Sequence, residues 1–293
     1  MPTLDFQSWV RRVYQARTIF DSSLTAIVAS DSSQPAQLLG YQLEGEAMAG
    51  QTLRLLLHWQ PLRDVAGDPD YAFFAHLRDR RGYTWAQADA NGYAVVDWQP
   101  GVQVLQWLEL PLPPDLPPIE YKLVVGMEDR GAGQIVINPV ELDTLIPAIA
   151  AVPPLPDEFP VPNPGEVTAG VLFTLRGYSL DPRFLQPAAS THVTLFWQAQ
   201  AAPGGDYTLA LWLVDSSGTR FELGERQPLD GDYPTHHWQA GQWVRDRFDL
   251  TLPPDLAGGL YQVFAGWRDP TGRWLMAGAE PGIPLGQIFI ADQ

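Results

Sequence analysis

The chain contains no cysteine and no long apolar segment, and each absence removes a class of protein. Without cysteine there are no disulfides, thiolate nucleophiles or cysteine metal sites. No stretch approaches the roughly 18 apolar residues that a membrane-spanning helix needs. Residues 1–19 also lack the apolar core and cleavage site of a signal peptide. We expect an extracytoplasmic or cell-surface location if an upstream targeting or membrane segment is missing from this sequence, and otherwise the location is unknown.

Basic residues are also scarce. The 18 basic residues, of which Lys122 is the single lysine, face 34 acidic ones, and the formal net charge is -16. Phosphate backbones and anionic lipids repel such a chain, so we expect no nucleic-acid partner and no direct membrane insertion. The acidic residues are spread along the sequence, which is typical of a solvated surface.

Catalytic motifs are missing as well. The sequence has no nucleophile elbow, no His-Glu-x-x-His, no phosphate loop and no dinucleotide fingerprint. His236 and His237 are adjacent, and in an extended segment neighbouring side chains point to opposite faces, so a shared metal ion is not expected. We predict that the protein is not an enzyme and has no catalytic residue.

No cofactor is expected, although calcium stays open as a ligand of loop carboxylates. Sandwich loops can bind calcium through Asp side chains and carbonyl oxygens. The best fragments are Asp68-Pro69-Asp70 and Asp230-Gly231-Asp232, and neither forms a complete calcium loop. Other acidic pairs fall in apparent turns, where carboxylates are ordinary.

What the chain does have is an internal repeat. Five segments recur in the same order at a nearly constant separation. They are Gly40-Tyr41-Gln42-Leu43 and Gly177-Tyr178-Ser179-Leu180, Trp59-Gln60 and Trp197-Gln198, Asp70-Tyr71 and Asp206-Tyr207, Trp98-Gln99-Pro100-Gly101 and Trp238-Gln239-Ala240-Gly241, and Leu112-Pro113-Pro114-Asp115-Leu116 and Leu252-Pro253-Pro254-Asp255-Leu256. The order and spacing predict a duplicated domain.

Both copies are rich in short alternating segments separated by turns. About seven such segments in each copy predict an all-β fold of two tandem antiparallel β-sandwiches, immunoglobulin-like or jelly-roll-like. The predicted repeats span 35–143 and 169–293. A proline-rich, semi-rigid linker is predicted over 144–168. Residues 1–34 form an N-terminal lead, in which the apolar spacing predicts a short amphipathic helix over 5–20.

Several aromatic residues have predicted structural roles. Trp59 lies in phase with the leucines of an alternating strand, and Trp197 occupies the equivalent position, so both should be core residues. Tyr121 and Tyr261 each follow a Leu-Pro-Pro-Asp-Leu segment at the entrance to a late strand. This position resembles the tyrosine corner of immunoglobulin-like sandwiches.

The turn aromatics allow two interpretations. Trp98 and Trp238 lie in equivalent turns, with Tyr93 and Tyr233 five residues before them. Their retention in both copies favours a structural plug at the end of each sandwich. The alternative is a carbohydrate-binding platform formed by these four residues, because sugar C–H groups stack on exposed aromatic faces. Several further tryptophans have no counterpart of the same type in the other copy: Trp85, Trp107, Trp212, Trp243, Trp267 and Trp274.

The repeated motifs also carry a resemblance to a known family. The order Gly-Tyr-x-Leu, Trp-Gln, Asp-Tyr, Leu-x-Asp-x-x-Gly, Trp-x-x-Gly, Leu-Pro-Pro-Asp-Leu and Tyr-x-x-x-x-Gly resembles a C-terminal β-sandwich domain. That domain occurs in membrane glycosyltransferases of the dolichyl-phosphate-mannose mannosyltransferase type (glycosyltransferase family 39-like), especially in Chloroflexi. The resemblance covers about residues 36–141 and 170–291. The first copy departs from the pattern by a longer loop at 61–70.

The resemblance implies an accessory, extracytoplasmic, non-catalytic module, and it transfers no catalytic residue. The leading hypothesis is therefore a tandem β-sandwich scaffold associated with the cell envelope or with glycosyltransferase machinery. One alternative is a carbohydrate-binding module that uses exposed aromatic residues. Another is an accessory subunit of a larger membrane or envelope assembly, in which exposed strand edges could pair with a partner protein.

Overall fold

The computed structural model describes residues 25–26, 34–65, 67–68, 71–90, 97–155 and 157–292. Nearly all regular structure in these residues is β-strand, so the predicted all-β, sandwich-like fold is confirmed. The helix predicted over 5–20 and most of the N-terminal lead lie outside the described residues. Two compact units divide the chain, one comprising Met1–Pro113 and Ile119–Ala148, the other Pro114–Pro118 and Ile149–Gln293.

The first unit contains two four-stranded antiparallel sheets, in the orders β1-β2-β3-β6 and β5-β4-β7-β8. Its strands are β1 (Thr25–Ala26), β2 (Ala36–Glu44), β3 (Thr52–Pro61), β4 (Tyr71–Arg78), β5 (Thr84–Ala90), β6 (Val104–Pro111), β7 (Tyr121–Asp129) and β8 (Gln134–Leu145).

The second unit contains a four-stranded sheet of order β15-β12-β10-β9 and a five-stranded sheet of order β11-β17-β16-β13-β14. Only β11 pairs in parallel, with β17, among the described strands. The strands are β9 (Val167–Ala169), β10 (Phe173–Asp181), β11 (Phe184–Leu185), β12 (Ser190–Ala199), β13 (Thr208–Val214), β14 (Arg220–Arg226), β15 (Trp243–Thr251), β16 (Gly259–Arg268) and β17 (Ile283–Ile290). Two short 3-10 segments, Pro228–Gly231 and Thr235–His237, precede β15.

The two units repeat the same internal connections. The order β2-β3-β6 corresponds to β10-β12-β15, and β5-β4-β7-β8 corresponds to β14-β13-β16-β17. Each unit also has a register shift at the equivalent place, between Leu38 and Gly40 in β2 and between Leu175 and Gly177 in β10. A bulge of this kind adds one residue to a strand and bends it.

Side-chain alternation builds each core. In β3, residues Leu53, Leu55, Leu57 and Trp59 are at most 2% exposed, which confirms the predicted inward phase. In the second unit the Trp197 side chain is fully buried, at 0% exposure, and its ring lies 5.1 Å from that of Trp267. Both predicted core tryptophans are therefore structural.

The tyrosine-corner prediction is confirmed at Tyr261. Its hydroxyl donates a hydrogen bond of 2.9 Å to the carbonyl oxygen of Ala257, four residues upstream. Burial raises the pKa of the Tyr261 hydroxyl, which therefore stays protonated and able to donate. Tyr121 is fully buried at the start of β7. Both side chains thus belong to the structure of their unit.

The identical Leu-Pro-Pro-Asp-Leu segments hold their aspartates differently. Asp115 belongs to the second unit, is 0% exposed and receives two hydrogen bonds of 2.7 and 2.8 Å from Arg245. Asp255, at the same motif position, is exposed. The boundary predicted at 143 therefore differs from the observed division, in which 114–118 count with the second unit and the first extends to Ala148.

The predicted linker is part of the second unit over most of its length. The backbone N–H of Tyr178 donates to Pro162 O at 2.9 Å, and the Asn163 side-chain amide donates to Tyr178 O at 2.9 Å. Phe159 packs edge-on against Trp243, with ring centroids 5.3 Å apart. Because the proline-rich segment is bound to β10 and covers aromatic residues, it is not a free connector.

Three turns share the sequence Asp-x-x-Gly. In each, the glycine N–H donates to the carbonyl of the aspartate, and the glycine has a positive φ: Asp79 with Gly82, Asp215 with Gly218, and Asp269 with Gly272. Each aspartate side chain also accepts backbone N–H groups within its turn. Each turn is thus closed by a backbone hydrogen bond from its fourth residue to its first and by an aspartate that accepts backbone N–H groups.

The Asp269 turn should respond to acid in a defined window. Hydrogen bonds from the Thr271 hydroxyl and from nearby backbone N–H groups lower the pKa of Asp269 from 3.8 to about 2. The stabilisation is thus fully present above pH 3.8 and is lost as the pH falls through about 2. A carboxyl NMR titration measures this pKa. The Thr271→Ala variant should titrate nearer 3.8, and equal values in both proteins would contradict the prediction.

Candidate functional site

The turn aromatics that the sequence offered as a carbohydrate platform are buried. Trp98 is 2% exposed, Trp238 is 1% exposed and Tyr233 is 4% exposed. Tyr93 lies outside the described residues. The Trp98 ring stacks on Phe73 at 5.5 Å, and the Trp238 indole N–H donates to Tyr233 O at 3.1 Å. A sugar cannot reach the faces of these three side chains, so the platform prediction is wrong for them, and they pack inside their units as the plug interpretation expects.

Buried hydrogen bonds hold the plug of the second unit. The Tyr233 hydroxyl lies 3.1 Å from both the carbonyl oxygen of His237 and the side-chain oxygen of Gln242. Burial raises the pKa of Tyr233, so the hydroxyl remains a donor at neutral pH. Tyr233 therefore fixes the loop that carries Trp238.

The adjacent histidines do not point to opposite faces. They lie in the 3-10 segment Thr235–His237, and the ring centroids of His236 and His237 are 3.9 Å apart. His236 Nδ1 is 2.5 Å from Asp206 Oδ1, and this bond lowers the pKa of Asp206. Within the described ranges, no group of three or more metal-ligating side chains of His, Cys, Asp or Glu is placed to hold an ion.

The carboxylates of the two calcium fragments have other partners. Asp68 binds Arg63 through both oxygens, at 2.8 and 2.6 Å, and accepts the Tyr71 hydroxyl at 2.8 Å. Asp70 lies outside the described residues. Asp230 forms an ion pair with Arg226 at 2.7 Å.

Trp107 presents an accessible aromatic surface. Its 44% exposed fraction is the largest among the tryptophans that the structure describes. Strand β6 alternates, so that Val104, Gln106, Leu108 and Leu110 are buried while Leu105, Trp107 and Glu109 point outward. Trp107 therefore lies on the outer face of the β1-β2-β3-β6 sheet.

The register of the sheet places nine residues on this face in three rows. The middle row runs Trp107, Leu56 and Gln42 across β6, β3 and β2. The flanking rows are Glu109, Arg54 and Glu44 on one side, and Leu105, His58 and Gly40 on the other. We call these nine residues the Trp107 face.

Polar groups border the middle row on both sides. Arg54 Nε lies 3.2 Å from Glu109 Oε1, and their side chains are 59% and 64% exposed. His58 Nε2 lies 3.0 Å from Gln103 Oε1. Burial lowers the pKa of His58, so its imidazole is neutral at pH 7. The face thus combines one flat indole with hydrogen-bonding groups.

The equivalent face of the second unit has no aromatic residue at this place. By strand register, His192, Arg247 and Asp249 occupy the positions of Arg54, Trp107 and Glu109. Asp249 lies 2.6 Å from His192 Nδ1 and 2.9 Å from Arg247 Nε. These bonds lower the pKa of Asp249, against the opposing effect of its burial. At this position of the sheet, an exposed aromatic ring therefore distinguishes the first unit from the second.

A second aromatic cluster is closed by arginines. Trp212 is 4% exposed, and the Arg220 guanidinium lies 3.9 Å above its ring. Arg268 covers Trp274 at 3.9 Å. A Cβ on Gly282 would lie 2.5 Å from the Trp212 ring, so the indole depends on this glycine for space. Cation–π contacts stabilise such an arrangement, and the cluster has a structural explanation.

A small cleft lies in the second unit. Its volume is about 120 Å³, and its lining includes Ile149, Pro153, Gln239, Gln242 and Trp243. The Trp243 indole N–H donates to Pro154 O at 3.1 Å, so the aromatic side chain at the cleft is already engaged.

Comparisons with known proteins give little beyond the fold. None of the helical segments described is long and apolar enough to cross a membrane. No protein-family model matches the sequence, and no curated protein is similar to it. Among solved structures, the chain is similar to the C-terminal domain of wzt, with 12% identity and a TM-score of 0.33 over 45% of this chain and 83% of that one. A structural match at this level carries no information about ligand or activity.

Proposed function

We propose that this protein is a non-catalytic β-sandwich module that recognises a glycan through the Trp107 face. The observation that carries the proposal is an indole that is 44% exposed on a sheet face and bordered by an arginine–glutamate pair. Trp107 shares this face with Leu56 and Leu105, so the indole belongs to a contiguous apolar group and is not a single scattered side chain.

The chemistry of this face suits a sugar. The C–H groups of a sugar ring can stack on the indole, because the face of the ring carries partial negative charge. Sugar hydroxyls both donate and accept, so Glu109 can accept from them while Arg54 donates to them. Hydrogen bonds to charged groups are stronger than those between neutral groups. The net charge of -16 argues against nucleic acids and anionic lipids as ligands.

No chemical step is part of the proposal. A glycosidase needs two carboxyl groups on either side of the scissile bond. On the Trp107 face, Glu109 and Glu44 lie on either side of Arg54 in one row, and Glu109 is paired with it. We infer that these carboxylates position hydroxyls.

The cellular setting is likewise inferred. The resemblance to the tail domain of glycosyltransferase family 39-like proteins supports an accessory, extracytoplasmic role beside cell-envelope or glycosyltransferase machinery. The shared strand order and the equivalent bulges at Gly40 and Gly177 support the inference that the two units arose by duplication.

Replacing Trp107 tests the proposal. We expect Trp107→Ala to weaken glycan binding at least about tenfold, equivalent to about 1.4 kcal/mol, because the stacking surface is lost. A glycan array followed by isothermal titration calorimetry on the full chain measures this. Trp107→Phe should retain part of the affinity, and Trp274→Phe is the matched control. Unchanged binding in Trp107→Ala would refute the proposal.

Subunit assembly is a second candidate function, supported by a different surface. Phe184, Phe289 and Leu260 are 82%, 42% and 50% exposed and lie side by side across β11, β17 and β16. The two phenylalanine rings are 6.3 Å apart. An apolar row of this kind can dock a partner protein in a membrane or envelope assembly. In that case Phe184→Ser would abolish binding of the partner protein, and Trp107→Ala would leave that binding unchanged.

A further inference from the structure

We propose that the ligand of the Trp107 face is a polysaccharide without acidic groups whose pyranose rings carry equatorial hydroxyls. This inference rests on the proposed function and specifies its ligand class. It depends on the three in-register rows of the face.

The middle row fixes the shape that the ligand must have. Trp107, Leu56 and Gln42 are direct neighbours across three strands. Strands about 4.8 Å apart place these residues along a line of roughly 10 Å, which is room for two sugar rings. Two of the three side chains are apolar, so the ligand must offer an apolar underside along this line.

Hydroxyl configuration decides which sugars have such an underside. A pyranose with only equatorial hydroxyls presents C–H groups on both faces and directs its hydroxyls outward in the ring plane. An axial hydroxyl would instead point down on Leu56 or the Trp107 ring, where these side chains provide no hydrogen-bond partner. Burying a hydroxyl without a hydrogen-bond partner is unfavourable, which disfavours axial isomers.

The flanking rows then meet the outward hydroxyls. On one side Glu109, Arg54 and Glu44 provide an acceptor, a donor and an acceptor in order. On the other side the accessible polar group is Gln103, which is bonded to the buried His58. Polar groups therefore lie beside both edges of an equatorial sugar, where its hydroxyls point. Its two faces carry C–H groups and need no hydrogen-bond partner.

Charge excludes an acidic sugar. The row beside Trp107 holds two carboxylates for one guanidinium, and burial lowers the pKa of His58, so the opposite row adds no positive charge at pH 7. A uronate would meet net negative charge on a chain that is already at -16. The ligand therefore carries no acidic group.

The face also favours a chain over a single sugar. Strand β6, which carries Trp107, is at the edge of its sheet in the part of the chain that the structure describes. The row ends with this strand, and its length of roughly 10 Å already exceeds one sugar ring, so a chain fits it better than a single sugar. A closed end, which would select a terminal sugar, is not formed by these three rows.

A matched set of hexasaccharides tests the inference. Cellohexaose, β-1,4-mannohexaose and a C6-oxidised cellohexaose differ in one feature each, the configuration at C2 or the charge at C6. We expect the full chain to bind cellohexaose at least about tenfold more tightly than the other two in calorimetry. Glu44→Gln combined with Glu109→Gln should reduce the discrimination against the oxidised form at least about threefold, with the preference over the mannose form unchanged.

The outcomes separate this inference from the proposed function. Binding that depends on Trp107 but prefers the mannose or the oxidised chain would overturn the ligand class and leave glycan recognition standing. Absence of Trp107-dependent binding to any glycan would overturn both. Cellohexaose selectivity that persists in Trp107→Ala would place the sugar elsewhere and overturn this assignment.

Discussion

We expect replacement of Trp238 by alanine to lower the free energy of unfolding by about 3–5 kcal/mol, the range for removal of a buried tryptophan. Trp238 is 1% exposed and packs edge-on against both Phe173 and Trp267, at 5.5 and 5.8 Å between ring centroids. Alanine would leave a cavity between these rings and would leave Tyr233 O without its indole donor. The loss should appear as a lower midpoint in urea-induced unfolding followed by fluorescence and circular dichroism.

Two further tryptophan variants serve as comparisons for this prediction. Trp98→Ala should have a similar effect on the first unit, because Trp98 stacks on Phe73 in its core. Trp107→Ala should change stability by less than about 1 kcal/mol, because its side chain is 44% exposed. If Trp238→Ala and Trp107→Ala were equally stable, the plug interpretation would be wrong.

The second large effect concerns Gly177. A Cβ at this position would clash with the Val161 side chain and would lie 2.6 Å from the carbonyl oxygen of Pro162, which accepts the N–H of Tyr178. We expect Gly177→Val to displace the proline-rich segment from β10 and to cost about 1–3 kcal/mol, the usual range for overpacking, or more if the segment detaches fully.

Limited proteolysis detects the displacement directly. Cleavage within residues 149–166 should accelerate in Gly177→Val, together with a lower unfolding midpoint. Gly224→Val is the matched control, since Gly224 also lies in a strand and a Cβ there would meet no atom within 4 Å. Equal protease resistance in the two variants would show that the segment does not depend on Gly177.

Local patterns predicted much of the fold. The alternation of Leu53, Leu55 and Leu57 identified the buried side of β3, because the period of a strand is two residues whatever surrounds it. The Asp-x-x-Gly turns were equally predictable, since four consecutive residues supply both the side-chain acceptor and the glycine with positive φ. Tyr261 followed from its position after a corner.

The functional residues were harder to predict. Strand β6 has leucines at 105, 108 and 110, in both phases of the strand, so periodicity leaves the side occupied by Trp107 undecided. Its pairing with β3 resolves this, by placing Leu108 against the core and Trp107 outside. The sequence did show that the second copy has no tryptophan equivalent to Trp107, since Arg247 occupies that position. Several other tryptophans also lack a counterpart, so this difference did not single out Trp107.

By itself, the sequence determined the all-β class, the repeated motifs, the turns and the core phase of the central strands, because these depend on neighbours along the chain. Only the tertiary structure decided which aromatic residues remain accessible. Trp98 and Trp238 lie in loops, where burial depends on what packs over them, and His236 and His237 come together through a 3-10 turn. The same holds for the identical motifs of Asp115 and Asp255, of which one is buried against Arg245 and the other is exposed. Burial is a property of contacts between distant segments, and a short motif does not contain them.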